Sequence, residues 1–473
     1  VRWVAVIAAA APAAERRPNV VLMIADDQGW DGLSVEMAPG DVGSKSRFIQ
    51  TPNLERLAAQ GMRFSNGYAP APVCSPTRIS IQTGRSPAAL HWTKAAPPEE
   101  GHALIEPRLV KRISSDETTI GELLREAGYA TAHYGKWHIA GGGPEAHGYD
   151  ASDGDTGNEQ AMRFAETNPV DIFGMAERAA AFMRKSRDAG RPFYTQLSWN
   201  ALHGPQNARQ TTREKYARLM GGSGDDKRTQ TAALAEDLDE GVGRVLDAID
   251  RLGIGKDMYV IYTSDNGSGG GGKRGSLSGG KGSVWEGGIR VPFMVRGPGV
   301  AAGSWCHVPV VGADLLPTFC EWAGVPAAAL PRGVEGGSLA GLLRNGGKAA
   351  IERPREELVF HFPHYQSGNA PHSAIRVGDL KLILFYEDES VKLFDLGKDP
   401  GERVDLAAAR PADAASLRQQ LANYLADVGA QLPQPNPAYD AAAAVDPRPG
   451  GKGGTKKRKA AKTRPDPQED EDP

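Results

Sequence analysis

The stretch NVVLMIADD, residues 19–27, decides how the rest of the chain is to be read. Val20 to Ala25 is an unbroken apolar run, suited to a strand buried on both faces. It ends in two adjacent carboxylates, Asp26 and Asp27. In a parallel α/β sheet, sites are built in the loops at the C-terminal ends of strands. The stretch therefore predicts a fold and a place for chemistry together.

The segments that follow repeat the theme. TPNLERLAAQG (51–61) reads as a helix, with Thr51 as N-cap, Pro52 in the first helical position and Gly61 as the stop. TIGELLREAGYATAHYGKWH (119–138) reads as helix, turn at Gly128, then strand. Residues 175–188 predict an amphipathic helix, and PFYTQLSWNALHGP (192–205) a strand running into a loop. A long helix is expected over 229–252, with Leu234, Leu238, Val242 and Leu246 at helical spacing. MYVIYTSDNGSGG (258–270) is a second doubly buried strand, again ending in a carboxylate. The alternation predicts an α/β domain over 18–345, with a large, mostly parallel central sheet flanked by helices.

After residue 345 the pattern changes. AIRVGDLKLILFYEDESVKLFDL (374–396) alternates like short antiparallel strands, and a helix is expected over 412–428. Residues 346–432 thus read as a smaller C-terminal α+β subdomain. From Pro433 the chain turns to Pro, Ala and Gly and closes with a basic block and an acidic block. Residues 433–473 are expected to be a disordered tail, because such a composition buries too little apolar surface to fold.

The bulk profile is that of an ordinary soluble protein, 40% hydrophobic and 24% charged. A net charge of −3, with no basic stripe in the central region, gives no reason to expect a nucleic-acid partner. Within residues 1–17 one Arg, Arg2, precedes an apolar run from Trp3 to Ala11, and the small-residue segment APAA follows. This reads as a secretory leader, too short to span a bilayer, and it predicts an exported, periplasmic or extracellular protein without stable membrane insertion. Three cysteines are too few for a disulfide framework. Cys306 and Cys320 either pair in an oxidising compartment or stay as buried thiols.

Five features fall at strand ends or in Gly-rich loops. They are Asp26-Asp27, the polar stretch around Cys74, KWH (136–138), His203 in ALHGP, and Asp265-Asn266 followed by Lys281 in a glycine-rich loop. Three carboxylates and an amide carbonyl make a hard oxygen cage, of the kind that takes calcium or magnesium. Two lysines, an arginine and two histidines beside it make an electropositive pocket suited to a sulfate or phosphate ester. A plain thiol is the wrong nucleophile for such a site, unless it is changed after synthesis.

Cys74-Ser75-Pro76-Thr77-Arg78, followed by TGR (83–85), resembles the C-x-P-x-R signature of the type I, formylglycine-dependent sulfatases of the alkaline-phosphatase superfamily. Asp26-Asp27, Lys136, His138, His203, Asp265-Asn266 and Lys281 follow in the family's order, and the likeness runs from about Asn19 to about Leu406. The resemblance implies one calcium per chain (magnesium is the alternative), held by Asp26, Asp27, Asp265, Asn266 and residue 74. It implies that a maturation enzyme converts Cys74 to formylglycine. In the hydrated aldehyde one hydroxyl attacks sulfur and the second expels sulfate, an exit that serine or cysteine lacks. It further implies that Arg78 and Lys136 fix the hydrate, that His138 hydrogen-bonds it, and that Lys281 neutralises the sulfate oxygens. His203 is the first candidate acid for the leaving alcohol and Lys281 the competing one.

The implied activity is hydrolysis of a sulfate monoester, on a sulfated carbohydrate. Two other readings stay open. One is a phosphonate or phosphodiester hydrolase of the same superfamily. The other is a non-catalytic sulfated-glycan-binding protein in which Cys74 is never matured. HFPHY (361–365) and HSAIR (372–376) lie in the part that helps close the family's pocket, so His361, His364 and Arg376 read either as carbohydrate contacts or as groups of an ordinary domain interface. The polar loop 141–159 is expected to contribute specificity.

Overall fold

The computed structural model describes residues 17–269 and 275–440. Residues 1–16 of the expected leader and 441–473 of the expected tail lie outside the described residues. The expected α/β architecture is present. An eight-stranded sheet runs, edge to edge, Ser304–Cys306, Met62–Phe64, Phe293–Arg296, Met258–Ser264, Asn19–Ala25, Phe193–Ser198, Ala130–Gly135, Ala151–Ser152. Phe293–Arg296 is antiparallel to both neighbours, and every other pair is parallel.

Asn19–Ala25 lies near the middle, with its two apolar faces in two different cores. Val21, Met23 and Ala25 pack with the helices Pro52–Gln60, Ile172–Asp188 and Lys227–Leu252. Val20, Leu22 and Ile24 pack on the other side, with Cys74–Thr83, Ile120–Glu126 and Leu315–Ala323. This is why the run shows no alternation in sequence: both sides of the strand need apolar side chains.

The start of Pro52–Gln60 differs from expectation. The Thr51 hydroxyl does not cap the helix; it bonds to Ser34 instead. The free N–H groups of Asn53 and Leu54 go to the carboxylate of Asp239, at 3.0 and 2.8 Å. A buried Asp at a helix start does what a local cap would do, with the helix dipole in its favour. Cys306 and Cys320 are both free and buried.

The C-terminal unit is a four-stranded antiparallel meander, Leu358–Phe362, His372–Val377, Leu380–Phe385 and Val391–Asp395. Phe360, Phe362, Ala374 and Ile383 face the catalytic unit, against Tyr68, Val73 and Ile289. Ile375, Leu382 and Leu393 face the helix Pro411–Asp427. The expected tail begins later than Pro433, because Gln434–Pro435 pairs with Leu104–Ile105 and Asn436 bonds back to His102 and Ala103.

A buried ionic cluster ties this sheet to the catalytic unit. Lys381 Nζ lies 2.8 Å from Glu286 Oε1 and 2.8 Å from Glu402 Oε1. Arg290 donates to Glu286 at 2.6 Å, and the Glu286 backbone N–H donates to Glu402 at 2.8 Å. Two buried carboxylates sharing one lysine cannot both ionise freely, and their pKa values part. Burial and the neighbouring Glu286 push Glu402 up to about 7 against the pull of Lys381. Burial would raise Glu286 as well, but Lys381 and Arg290 hold it at about 2.

A raised carboxyl binds its proton more tightly folded than unfolded. The contribution of Glu402 to stability is therefore complete below its ordinary value of 4.5 and is lost as pH rises through about 7. Urea denaturation across that window should show the wild type losing stability relative to Glu402→Gln. Parallel curves would mean that Glu402 is ionised throughout.

Candidate active site

Four adjacent parallel strands end side by side, and their C-terminal loops carry the predicted residues. Met258–Ser264 leads into Asp265 and Asn266, Asn19–Ala25 into Asp26 and Asp27, Phe193–Ser198 into the His203 loop, and Ala130–Gly135 into Lys136 and His138. Gly135 sits at φ +85°, and a Cβ there would meet Ser198 O at 2.3 Å. Only glycine lets the chain leave the sheet at that point and turn Lys136 inward. Opposite the strand ends, Cys74 is the first residue of the helix Cys74–Thr83, so the helix's positive end lies at its thiol.

Arg78, one turn along that helix, holds the cluster together. Its Nε and one terminal nitrogen donate to Asp265 Oδ2 at 3.1 and 2.7 Å. Its other terminal nitrogen donates to Lys136 O at 2.7 Å, and the terminal nitrogen that bonds Asp265 also lies 3.5 Å from Asp26 Oδ2. Lys136 Nζ donates to Asp26 Oδ2. Lys281 Nζ reaches Asp27 Oδ1 at 2.6 Å and Cys74 Sγ at 3.3 Å, and the thiol lies 3.4 Å from Asp26 Oδ1. Asp26, Asp265, Arg78 and Lys136 are all buried.

The electrostatics follow from burial and these partners. Burial would raise the Asp26 carboxyl, yet Lys136, Arg78 and Lys281 hold it far below the usual range. Burial, then the charges of Asp26 and Asp265, push the Cys74 thiol up to about 12. At neutral pH it is protonated, with a thiolate fraction on the order of 10⁻⁵. As an unmodified residue it is a poor nucleophile. Burial, then Lys136 and Arg78, push His138 down to about 2. This corrects the sequence reading, which counted His138 among the positive groups: it is neutral, and its buried Nδ1 has no partner among the described residues. His203 is partly buried, its Nδ1 is 2.8 Å from Gly204 O, and it lies close enough to act on both Asp26 and His138.

The donor set fits a hard divalent cation. Asp26, Asp27, Cys74 and Asp265 each offer an atom within 4.8 Å of the others. Asn266 donates its amide N–H to Asp27 at 2.7 Å, while its buried Oδ1 has no hydrogen-bond partner among the described residues. An amide oxygen left without a donor beside three carboxylates is what an oxygen-ligated cation requires.

The three proposed substrate contacts are placed elsewhere. His361 is buried between Ser373 Oγ at 2.7 Å and Gln431 O at 2.9 Å. His364 is buried between Thr93 Oγ1 and Glu106 Oε2, each at 2.7 Å. Arg376 is buried among Gly378 O, Asn66 and Tyr68. His364 and Arg376 thereby tie the C-terminal sheet to the α/β unit, while His361 bonds within the C-terminal unit. The loop 141–159 packs back on the sheet edge. Its Asp153 and Thr156 bond the backbone of Gly135, Trp137 and His138, which fixes the Lys136 turn.

The sequence reading missed a buried polar chain behind the Cys74 helix. Gln82 donates to Gln196 at 2.8 Å, Gln196 to Ser198 at 2.9 Å, and Ser198 Oγ is 3.4 Å from His133 Nε2. Tyr149 donates to Gln82 at 2.9 Å. The signal was present: Gln196 and His133 are polar residues within strands that are buried at every position.

Strand ends, carboxylate cluster and helix start converge on one buried site. The sulfatase family model matches residues 18–325, and a model for the C-terminal part of N-sulphoglucosamine sulphohydrolase matches 280–431. The chain is 30% identical to human arylsulfatase A, over 87% of this chain and 88% of that protein. It is 31% identical to rat N-acetylgalactosamine-6-sulfatase, over 84% of this chain and 77% of that protein. Among solved structures, Ps i-CgsB in complex with k-i-k-neocarrahexaose superposes with a TM-score of 0.71 at 23% identity, over 89% of this chain and 94% of that one. The chain belongs to the sulfatase family and is a sulfuric ester hydrolase. Among the described residues, no helix is long and apolar enough to cross a membrane.

Proposed function

We propose that the protein hydrolyses a sulfate monoester on a sulfated carbohydrate, giving alcohol and inorganic sulfate, with Cys74 matured to formylglycine and one calcium in the Asp26, Asp27, Asp265, Asn266 cage. The observation that carries this reading is Cys74 itself. It is a buried thiol at a helix start, 3.3 Å from Lys281 Nζ and 3.4 Å from Asp26 Oδ1, inside the carboxylate cluster. Calcium supplies fixed positive charge for the sulfate oxygens, and the matured residue supplies one hydroxyl to attack sulfur and one to expel sulfate.

The chain's own residues do the rest. Lys136 and Arg78 hold Asp26 ionised, and Arg78 orients Asp265 with two hydrogen bonds. Lys281, beside Asp27 and residue 74, is placed to neutralise charge that develops on the sulfate oxygens. Neutral His138 offers a hydrogen bond without adding charge. His203, partly exposed at the rim, is placed to protonate the departing alcohol. The carbohydrate reading is supported by relatives named for a sugar sulfate and by a fold neighbour solved with a sugar ligand. Export is supported by the apolar run Trp3–Ala11 and the small residues after it.

The test is a comparison of kcat/KM on an aryl sulfate and on an aryl phosphodiester, using protein whose intact mass shows the aldehyde. The sulfate should be preferred by orders of magnitude. A strong preference for the diester would reassign the reaction, and recovery of thiol alone from the native host would remove the catalytic reading.

A further inference from the structure

A cleft of about 1060 Å³ opens from Asp27 and Gly269 at the edge of the site. Small-molecule pockets run to roughly 300–1,000 Å³, so the space exceeds the needs of a single sugar ring. Its walls bring together cations from three distant segments: Lys45 and Arg47, Lys227 and Arg228, and Arg403 of the C-terminal unit. None of the five forms an ion pair among the described residues, which leaves their charges open to an anion in the cleft. Four acids, Asp27, Asp31, Asp41 and Asp225, also line the cleft, and each has a partner of its own. Asp27 is held by Lys281 and Asn266, and Asp41 accepts from Gly43 N–H at 2.8 Å and Ser276 at 3.0 Å. Asp225 faces Arg213 at 3.9 Å.

Between the cations lies an aromatic surface. Phe48 is 41% exposed, a large ring left open to solvent. The Arg228 guanidinium lies 4.8 Å from its centroid. An exposed ring suits the C–H face of a pyranose, and a guanidinium beside it suits the paired oxygens of a sulfate.

We propose that this cleft binds the further sulfated units of a polyanionic glycan, with Phe48 carrying a sugar ring and Arg47 and Arg228 pairing with sulfates that are not being cleaved. The proposal rests on the reading that the adjoining site cleaves a sugar sulfate ester. It deepens that reading by naming the substrate class: an oligosulfated saccharide chain, in preference to a singly sulfated sugar or an aryl sulfate.

The experiment separates binding from turnover. Heparin-, chondroitin- and carrageenan-derived oligosaccharides are titrated calorimetrically into Cys74→Ala protein, alone and combined with Arg47→Gln/Arg228→Gln or with Phe48→Ala. Chemically desulfated oligosaccharides serve as controls. At least one sulfated oligosaccharide should bind. The arginine pair should weaken it by at least about tenfold and flatten its salt dependence, and Phe48→Ala should weaken it severalfold. In the Cys74 background the same cleft substitutions should leave aryl sulfate turnover within about twofold. Any one of these results overturns the proposal: no oligosaccharide binds, the desulfated chain binds equally well, the substitutions leave affinity unchanged, or they reduce aryl sulfate turnover as much as saccharide affinity. If oligosaccharide binding depends on Arg228 while the matured wild type cleaves no sulfate ester, the cleft stands and the catalytic reading fails.

Discussion

Replacing Cys74 by alanine is expected to end turnover while the protein stays folded. The residue is 2% exposed and sits where Asp26, Lys281 and the start of the Cys74–Thr83 helix converge. The thiol is the group that both Asp26 and Lys281 reach, so the loss should be at least about 10⁴-fold in kcat. The fold should tolerate the change, because alanine keeps the helix and removes only one buried sulfur. The checks are aryl sulfate turnover at saturation and a thermal melt followed by circular dichroism. A variant that keeps more than a tenth of wild-type turnover would show that residue 74 is not the reacting group.

The second large effect is expected at Asp265. Its Oδ2 takes two hydrogen bonds from Arg78, and its Oδ1 accepts from the Asp27 N–H at 3.3 Å. Asp265→Ala would leave a buried guanidinium facing only Asp26 at 3.5 Å, a change that costs about 3–5 kcal/mol. Asp265→Asn keeps the shape and removes the charge. It should fold, lose about 10²–10³-fold in kcat, and no longer respond to calcium. Adding calcium to chelator-treated wild type should raise Tm, because a ligand that binds only the folded state stabilises it. The Asn variant should show little or no rise. An equal rise in both would place the cation elsewhere.

Much of the site was legible because it lies at the ends of segments with strong local signatures. Val20–Ala25 and Met258–Ser264 are apolar at nearly every position, and each runs directly into acidic residues. Wherever such strands pair in parallel, their ends lie at the same side of the sheet. Asp26 and Asp265 therefore had to be neighbours once Asn19–Ala25 and Met258–Ser264 were neighbours. The helix that carries Cys74 and Arg78 fixes their relative placement through its own turn.

Where the reading failed, the missing information was contact between segments far apart in the chain. His361, His364 and Arg376, with polar and aromatic residues around them, fit a substrate contact and a domain interface equally well in sequence. Nothing local reveals that the catalytic unit covers one face of their sheet and Pro411–Asp427 the other. Thr51 has every local mark of a cap, but Asp239, far along the chain, supplies the acceptor.

The sequence alone determined the strand runs, the helix turns and the residue types at each loop, because propensity and periodicity act over a few neighbours. Tertiary structure alone decided which polar groups are buried with partners, that His138 is neutral, and that five cations from three segments share one cleft. Burial and pKa depend on what packs across the gap, and that is set by distant residues brought together only when the chain folds.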